Sequence, residues 1–246
     1  MEPIELDIPW DRNGEFKPQI VKKAAYVAIG IKLNATREVL GMCICGNESA
    51  KYWLRVLNEI KNRGIKDTMI VSVDGLTWFG DSIHAVFPKA GVQRCIVHQI
   101  RYYTKFISYK DLKPFMADLK IVYKTDTEDF APAALDDLEA ECEKKYPAST
   151  ASWRNNQPQL STYFKYPSEV WKLIYTTNLI ENFNRQLRKI TKAKMIFQTD
   201  DVLFKSLYPD IMDANKKWTG KAWNQGLTLD QLCIYFEDRI HPEDIE

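Results

Sequence analysis

The spacing of hydrophobic positions along this chain changes several times, and each change marks an element. Residues 24–31 (AAYVAIGI) and 38–45 (EVLGMCIC) are short apolar runs, and a turn at Asn34 and Ala35 separates them, which predicts two strands of one hairpin. Trp53, Val56, Leu57 and Ile60 then recur on one helical face, with Asn47 or Ser49 to open that helix and Gly64 to close it. Residues 68–73 (TMIVSV) form a continuous apolar run, as in a central strand buried on both faces, and end in Asp74-Gly75. A short helix over 78–87 stops at Pro88, and a strand over 92–97 ends at His98. Hairpin strands followed by strands alternating with helices predict an α/β fold with a mixed sheet.

From residue 102 to about 166 the pattern turns helical, acidic and aromatic, with Trp153, Tyr163, Phe164 and Tyr166, which predicts a helical insertion. Helical patterns return at 200–218, broken near Pro209, and at 227–240. Pro3, Pro9 and Pro18 make the first stretch an irregular arm. The predicted organisation is an arm over 1–21, the first part of a core over 22–101, the insertion over 102–170, a core helix over 171–199 and a helical C-terminal region over 200–246. No internal repeat or low-complexity tract interrupts it.

The chain has 246 residues, of which 45% are hydrophobic and 12% aromatic, enough to build a core and to exclude disorder as the default. Net charge is +1, which by itself suggests no nucleic acid, but the charge is partitioned. Asp126, Glu128, Asp129, Asp136, Asp137, Glu139, Glu141 and Glu143 form an acidic run without a base, while Arg185, Arg188, Lys189, Lys192 and Lys194 form a basic run without an acid. Such asymmetry binds phosphate in a neutral protein, or makes two solvated helix faces. Cys43, Cys45, Cys95, Cys142 and Cys233 are an odd number without framework spacing, and Cys43-x-Cys45 would share one face of a strand. Reduced thiols, an acidic N-terminus without an apolar signal region, and a longest apolar run (24–31) too short for a bilayer predict a soluble, cytoplasmic protein with no membrane partner.

The richest stretch is 175–188, YTTNLIENFNRQLR. Asn178 has the chemistry of a helix cap, and Glu181 follows at the capping-box spacing. Ile180, Phe183, Leu187 and Ile190 recur on a core-facing side, while Glu181, Arg185, Arg188 and Lys192 form a stripe on another. A metal-binding acid leading a phosphate-binding track has this form, and so does a capped surface helix with an ordinary Glu–Arg pair. Asp74 is equally double. It lies where an open α/β sheet places ligand-binding groups, and it is also a turn-former before glycine. Cys95 and His98 make a C-x-x-H spacing, but two ligands are too few for a structural zinc site and a lone histidine is commonly structural. Carboxylates drawn from distant segments suit Mg²⁺ and phosphoryl transfer, which normally asks for a third acid.

Several segments settle these alternatives by resemblance: VKKAAYVAIGI, NESAKYWL, IKNRG, VSVDGLTWF, AVFPKAGVQRCIVHQIR, YKDLKPFMADLKIVYK and IYTTNLIENFNRQLRKITKAK. From about Gln19 to about Ile240 the chain resembles the mutator-type transposases of bacterial insertion sequences. The linked order D-G-L, C-x-x-H and Y-T-T-N-x-I-E-x-x-N-R carries the likeness. The resemblance implies a ribonuclease-H-like mixed sheet with a helical insertion, and a triad of two aspartates and a glutamate. Asp74 matches the second aspartate, Glu181 the glutamate, and Cys95 with His98 the signature between them. It implies Mg²⁺ or Mn²⁺ held by Asp74 and Glu181, and a positioning role for His98. Arg185, Arg188, Lys192, Asn178 and Arg101 would contact DNA. Water activated at the metal would cut the element's end, and the freed 3′-hydroxyl would attack target DNA in line without a covalent enzyme intermediate. The implied partners are element-end and target DNA, a second copy of the chain, or full-length transposase.

The chain departs from the family at the first aspartate. In the family this residue precedes the segment matching KKAAYVAIGI, in a motif resembling L-D-A-I-H-Y-K-V-R. Here IELDIPWDRNGEFKPQIV stands instead and resembles the far N-terminal arm, upstream of a helix-turn-helix region. An internal deletion joined at Gln19-Ile20-Val21 is expected, removing that region together with the first catalytic strand and its aspartate. Leu6-Asp7-Ile8 imitates the lost motif, but Pro9 opposes a central strand, so neither Asp7 nor Asp11 is expected to replace it. Trp78 and Trp171 stand where the family has glycine and arginine. The expectation is a transposase with weak or absent catalysis. The alternatives are a non-catalytic inhibitor that binds DNA or transposase, and a decayed remnant with an open sheet edge.

Overall fold

The computed structural model describes residues 4–6, 23–46, 49–73, 79–125, 127–142, 145–174, 178–193, 197, 199–222 and 225–241. In chain order the elements are β1 (Ile4–Leu6), β2 (Lys23–Ile31), β3 (Arg37–Cys45), α1 (Ala50–Asn62), β4 (Ile70–Val73), α2 (Phe79–Val86), β5 (Gly91–Arg94), α3 (Ile96–Thr104), α4 (Tyr109–Tyr123), α5 (Phe130–Cys142) and α6 (Pro147–Leu160). A 3₁₀ turn (Ser161–Lys165), α7 (Ser168–Ile174), α8 (Asn178–Ala193), α9 (Asp200–Lys217) and α10 (Gln225–Tyr235) complete them. The fold is mixed α/β, with helices predominating and two small sheets. Two compact units share the chain: one drawn from residues 1–67, 78–88 and 178–246, the other from 68–77 and 89–177.

The first unit is built on the predicted hairpin. β2 and β3 pair antiparallel from Ala24↔Cys45 to Ile31↔Arg37, with a bulge between Ala28 and Ile29. At the turn the buried Ala35 adopts φ 65°, and its N–H donates to the Lys32 carbonyl at 2.9 Å. Alternation along β2 then divides its side chains between two layers. Ala25 and Val27 join the core of Phe183, Leu187, Leu203, Leu207 and Ile211 from α8 and α9. Tyr26 points the other way and meets Trp53 of α1 edge-on, with ring centroids 4.9 Å apart, and Trp53 in turn lies 4.4 Å from Phe79 of α2. Each such large side chain removed from water contributes about 1.5–3 kcal/mol. Helix α1 starts at Ser49, whose hydroxyl accepts the Tyr52 N–H at 3.2 Å, and the chain leaves it through Gly64 at φ 106°. Both cap residues act as the sequence predicts.

β1 departs from the expected irregular arm. It pairs antiparallel with β2 at Ile4↔Ala25, Glu5↔Ala24 and Leu6↔Lys23, so this part of the β2 edge is covered rather than open. Pro209 also behaves unexpectedly, because α9 runs through it without a break. Leu203, Leu207, Ile211 and Ala214 bury one face of α9 across the proline. Pro209 itself is exposed, where water can take up the carbonyl that its missing N–H leaves.

In the second unit β4 and β5 form a parallel pair from Ile70↔Gly91 to Val73↔Arg94. Most of β4 is half-buried rather than covered on both faces, with Val73 its buried residue. The predicted strand over 92–97 ends early: Ile96, Val97 and His98 belong to α3, because a short apolar run has no period that separates strand from helix. Helices close around the pair through side-chain-to-backbone bonds. Gln93, fully buried, donates to the Leu160 carbonyl at 2.9 Å, and Ser72 donates to that of Ile174 at 2.7 Å. Arg154 on α6 grips α5 from the acidic run, donating to both Glu139 oxygens at 2.9 and 2.6 Å and also to Asp136. Tyr163 on the 3₁₀ turn caps the Tyr123 carbonyl of α4 at 2.8 Å.

Gly91 opens β5 where Tyr166 crosses it. A Cβ there would lie 1.7 Å from the Tyr166 hydroxyl oxygen and 2.9 Å from its ring carbon Cζ. Gly91→Ala is expected to lower stability by about 3 kcal/mol, at the upper end of overpacking costs. A shift in the midpoint of urea unfolding measures this, and an unchanged midpoint contradicts the close approach.

Candidate functional site

The parallel pairing in the second unit places one predicted motif against the strand that leads to another. The N–H of Cys95 donates to the carbonyl of Val73 at 2.8 Å, extending the β4–β5 ladder by one bond. Val73 immediately precedes Asp74 in the chain, so the C-x-x-H segment is held at the end of the strand from which Asp74 emerges. Asp74 itself, with residues 75–78, lies outside the described residues.

Cys95 is fully buried and stands just before α3 with φ −66° and ψ 116°. His98, one helical turn on, brings Nδ1 to 3.2 Å from the Cys95 sulfur, so the two signature residues contact each other. Buried or half-buried polar side chains brace them. Gln99 Nε2 lies 3.4 Å from the Ser152 carbonyl of α6, and Arg94 donates to Asn156 Oδ1 at 2.6 Å. Burial disfavours the charged form of the Arg94 guanidinium and lowers its pKa from the ordinary value. Sequence reasoning passed over Gln93, Arg94 and Gln99. The available signal was three long polar side chains inside an otherwise apolar run, VQRCIVHQI.

In the first unit the described side chains of α8 divide between a core-facing side and a solvent-facing one. Phe183 and Leu187 are buried in the core shared with α9 and β2, while Ile180 is half-buried. Arg185 and Lys192 are exposed and Arg188 is partly buried, so the cations line a side away from that core. Sixteen residues of unbroken helix from Asn178 carry the stripe. The side chains of Asn178, Glu181 and Ile190 lie outside the described residues. The last predicted DNA contact, Arg101, is exposed on α3, three residues beyond His98.

Among the described residues no group of three histidine, cysteine or carboxylate side chains is arranged to hold a metal ion. The chemistry of the expected donors nonetheless suits a hard divalent cation, since Asp74 and Glu181 offer carboxylate oxygens. None of the five cysteines is in a disulfide, and burial pushes the Cys43 thiol above its ordinary range, which makes it a poor ligand or nucleophile. No helix among the described residues is long and apolar enough to cross a membrane.

The strand that precedes Asp74, the C-x-x-H segment bonded to its end and the basic helix α8 all fall within one stretch that a known protein family shares. Residues 19–221 match the family model described as Transposase, Mutator family, and the chain belongs to that family. It is 41% identical over 224 residues to a Sinorhizobium fredii protein named "Probable transposase for insertion sequence element ISRM3-like", covering 89% of this chain and 55% of that protein. Identity is 40% to the transposase for insertion sequence element ISRM3 of Rhizobium meliloti, with the same coverage. A Corynebacterium diphtheriae protein, "Probable transposase for insertion sequence element", is 38% identical over 81% of this chain and 58% of its own length. The chain thus spans little more than half the length of these relatives.

The two faces of α8 are separable by substitution. Leu187→Ala should cost about 2–5 kcal/mol through the cavity it leaves. Arg185→Gln should stay within about 0.5 kcal/mol, as for surface positions. Paired urea titrations check this, and equal losses at both positions would contradict the assignment of faces.

Proposed function

We propose that this chain acts on the DNA of an insertion element through a ribonuclease-H-like site, and that its own catalysis is weak or absent. The family match over residues 19–221 carries the proposal. Support for the placement of the site comes from the Cys95 N–H bonded to Val73, which joins the C-x-x-H signature to the strand leading to Asp74. Asp74 and Glu181 would hold Mg²⁺ or Mn²⁺, which when bound supplies charge that stabilises the attacking and leaving oxygens of a phosphodiester. Arg185 and Lys192, exposed on α8, would meet backbone phosphates and orient the strand, while Arg188, Asn178 and Arg101 would extend that contact. His98, whose Nδ1 lies 3.2 Å from the buried Cys95 sulfur, would position DNA or the site itself.

Loss of activity follows from the expected deletion. The family match begins at residue 19, which is consistent with a junction at Gln19-Ile20-Val21. Without the first aspartate, two carboxylates would share the work of three, with weaker affinity and looser geometry for the cation. β1 occupies part of the edge of β2, and Asp7 follows β1 directly in sequence, which makes Asp7 the position to examine for replacement. Asp7 and Asp11 both lie outside the described residues.

A second reading is a non-catalytic protein that occupies element DNA or pairs with full-length transposase and inhibits it. The exposed cations of α8, carried on a well-packed core, favour it, because binding phosphate needs no third acid.

Labelled element-end DNA with Mg²⁺ or Mn²⁺ distinguishes the readings, using the chain beside Asp74→Ala and Asp7→Ala. No cleavage by the folded protein is expected. Cleavage lost in both variants would instead mean that Asp7 completes the site. Binding of the same duplex should weaken with salt, and Arg185→Gln with Lys192→Gln should reduce the log–log slope by about 2. Added to active full-length transposase, an inhibitor lowers transposition in proportion to its dose, and an unchanged frequency would exclude the second reading.

A further inference from the structure

We propose that the end of α3 and the start of α4 form a stacking platform for the unpaired bases of single-stranded DNA. Tyr102, Phe106 and Tyr109 are 54%, 59% and 94% exposed. Three large rings left in water within eight residues are a concentration of apolar surface that a folded unit does not need for its own stability. Two of these rings, Tyr102 and Phe106, also brace each other. Tyr102 lies edge-on to Tyr103 with centroids 4.9 Å apart, and edge-on to Phe106 at 5.8 Å. Tyr103 is anchored in turn by a hydrogen bond with Ser152 of α6. The platform therefore stands on packed structure while most of its ring surface faces solvent.

The charge around the rings identifies the occupant. Between Arg101 and Lys113 the chain has four bases and one acid, Asp111. Lys105, Lys110 and Lys113 are exposed, and Lys105 Nζ lies 5.8 Å from the centroid of Tyr102. Asp111 offsets them only in part, through Lys110 beside it. Its carboxylate accepts from Tyr146 at 2.8 Å and from Ser108 at 3.0 Å, and Lys145 stands 3.7 Å away. The Tyr146 and Ser108 bonds hold the Asp111 carboxyl below the usual range, so it stays ionised and faces its own cation.

Rings among lysines fit one class of polymer. Duplex DNA presents phosphates outward and asks only for cations. The centre of a protein–protein interface is depleted in lysine. A single strand offers both flat bases, which stack on aromatic rings, and phosphates, which meet the lysines. Position agrees with this. Tyr102 follows His98 by one turn of α3, about 6 Å along the helix axis, so the platform continues the face that carries the C-x-x-H histidine. Unpaired bases would be held there next to the candidate site. The inference rests on the proposed DNA chemistry only for the source of unpaired strands, since binding an oligonucleotide needs no cleavage.

Fluorescence anisotropy tests it with the full chain and two probes, a labelled oligothymidylate of about 12 nucleotides and a duplex element end. The variant Tyr102→Ala/Phe106→Ala/Tyr109→Ala removes only exposed rings, and circular dichroism verifies that it folds. It is expected to bind the single strand at least about tenfold more weakly while duplex affinity changes by less than about twofold. Lys105→Gln/Lys110→Gln/Lys113→Gln should weaken the single strand and steepen nothing, reducing its salt slope by about 2. Unchanged single-strand affinity in the ring variant, or equal loss on both probes, overturns the platform. So does a switch to a smaller assembly in sedimentation with single-strand affinity retained, which would make the rings a contact between copies. Wild-type protein that binds the single strand through these rings but not the element end would support the platform and count against the proposed function. Duplex binding without single-strand binding would do the reverse.

Discussion

The antiparallel pairing of β2 with β3 is the constraint on which the first unit depends. Because successive side chains on β2 point to opposite faces, Ala25 and Val27 commit one face to α8 and α9, and Tyr26 commits the other to Trp53 of α1. A slip of one residue would exchange these sets and leave an aromatic ring against small-residue space on one side and methyl groups against the indole on the other. The register thus decides which surface receives α8, and with it which residues of α8 are free to be polar. The exposed cations Arg185 and Lys192 are a consequence of Phe183 and Leu187 being claimed by the sheet.

In the second unit the corresponding constraint is a single parallel pair. β4 and β5 are four residues each, too little ladder to stand alone, and side chains reaching from the sheet to helix backbones make up the difference. Gln93 to the Leu160 carbonyl and Ser72 to that of Ile174 are such ties, and each satisfies a polar group that burial would otherwise penalise. The same ladder extends to the Cys95 N–H, so the rigidity that holds the unit together also sets the position of the C-x-x-H motif. Helix α3 then links that motif to the exposed aromatic and basic surface at its far end. One element carries a buried signature at its start and an open surface at its finish.

Much of this was legible in the chain. The hairpin, the capping of α1 by Ser49, its exit through Gly64 and the core face of α8 all follow from local period and local chemistry, which act over a few residues and survive into the folded state. The family was legible too, from three linked motifs. The misjudged elements have two causes. Ile96 and Val97 end an apolar run without period, so no local signal separated strand from helix. Pro209 lies on an exposed face whose loss of one hydrogen bond is small beside the buried row Leu203, Leu207 and Ile211, and Ile4–Leu6 gains its extended form from pairing with β2. In those two cases distant packing outweighed a local signal.

By itself the sequence determined which side chains could do chemistry: the carboxylates Asp74 and Glu181, the Cys95–His98 spacing, and the basic run on α8. Composition and motif order are properties of the chain, and folding does not change them. Tertiary structure alone decided which of these became neighbours. It bonded Cys95 to the strand before Asp74, seated Gln93 and Gln99 in the interior, and left Tyr102, Phe106 and Tyr109 in solvent. Whether an aromatic ring is core or surface depends on what the rest of the chain brings to cover it, and no local pattern contains that information.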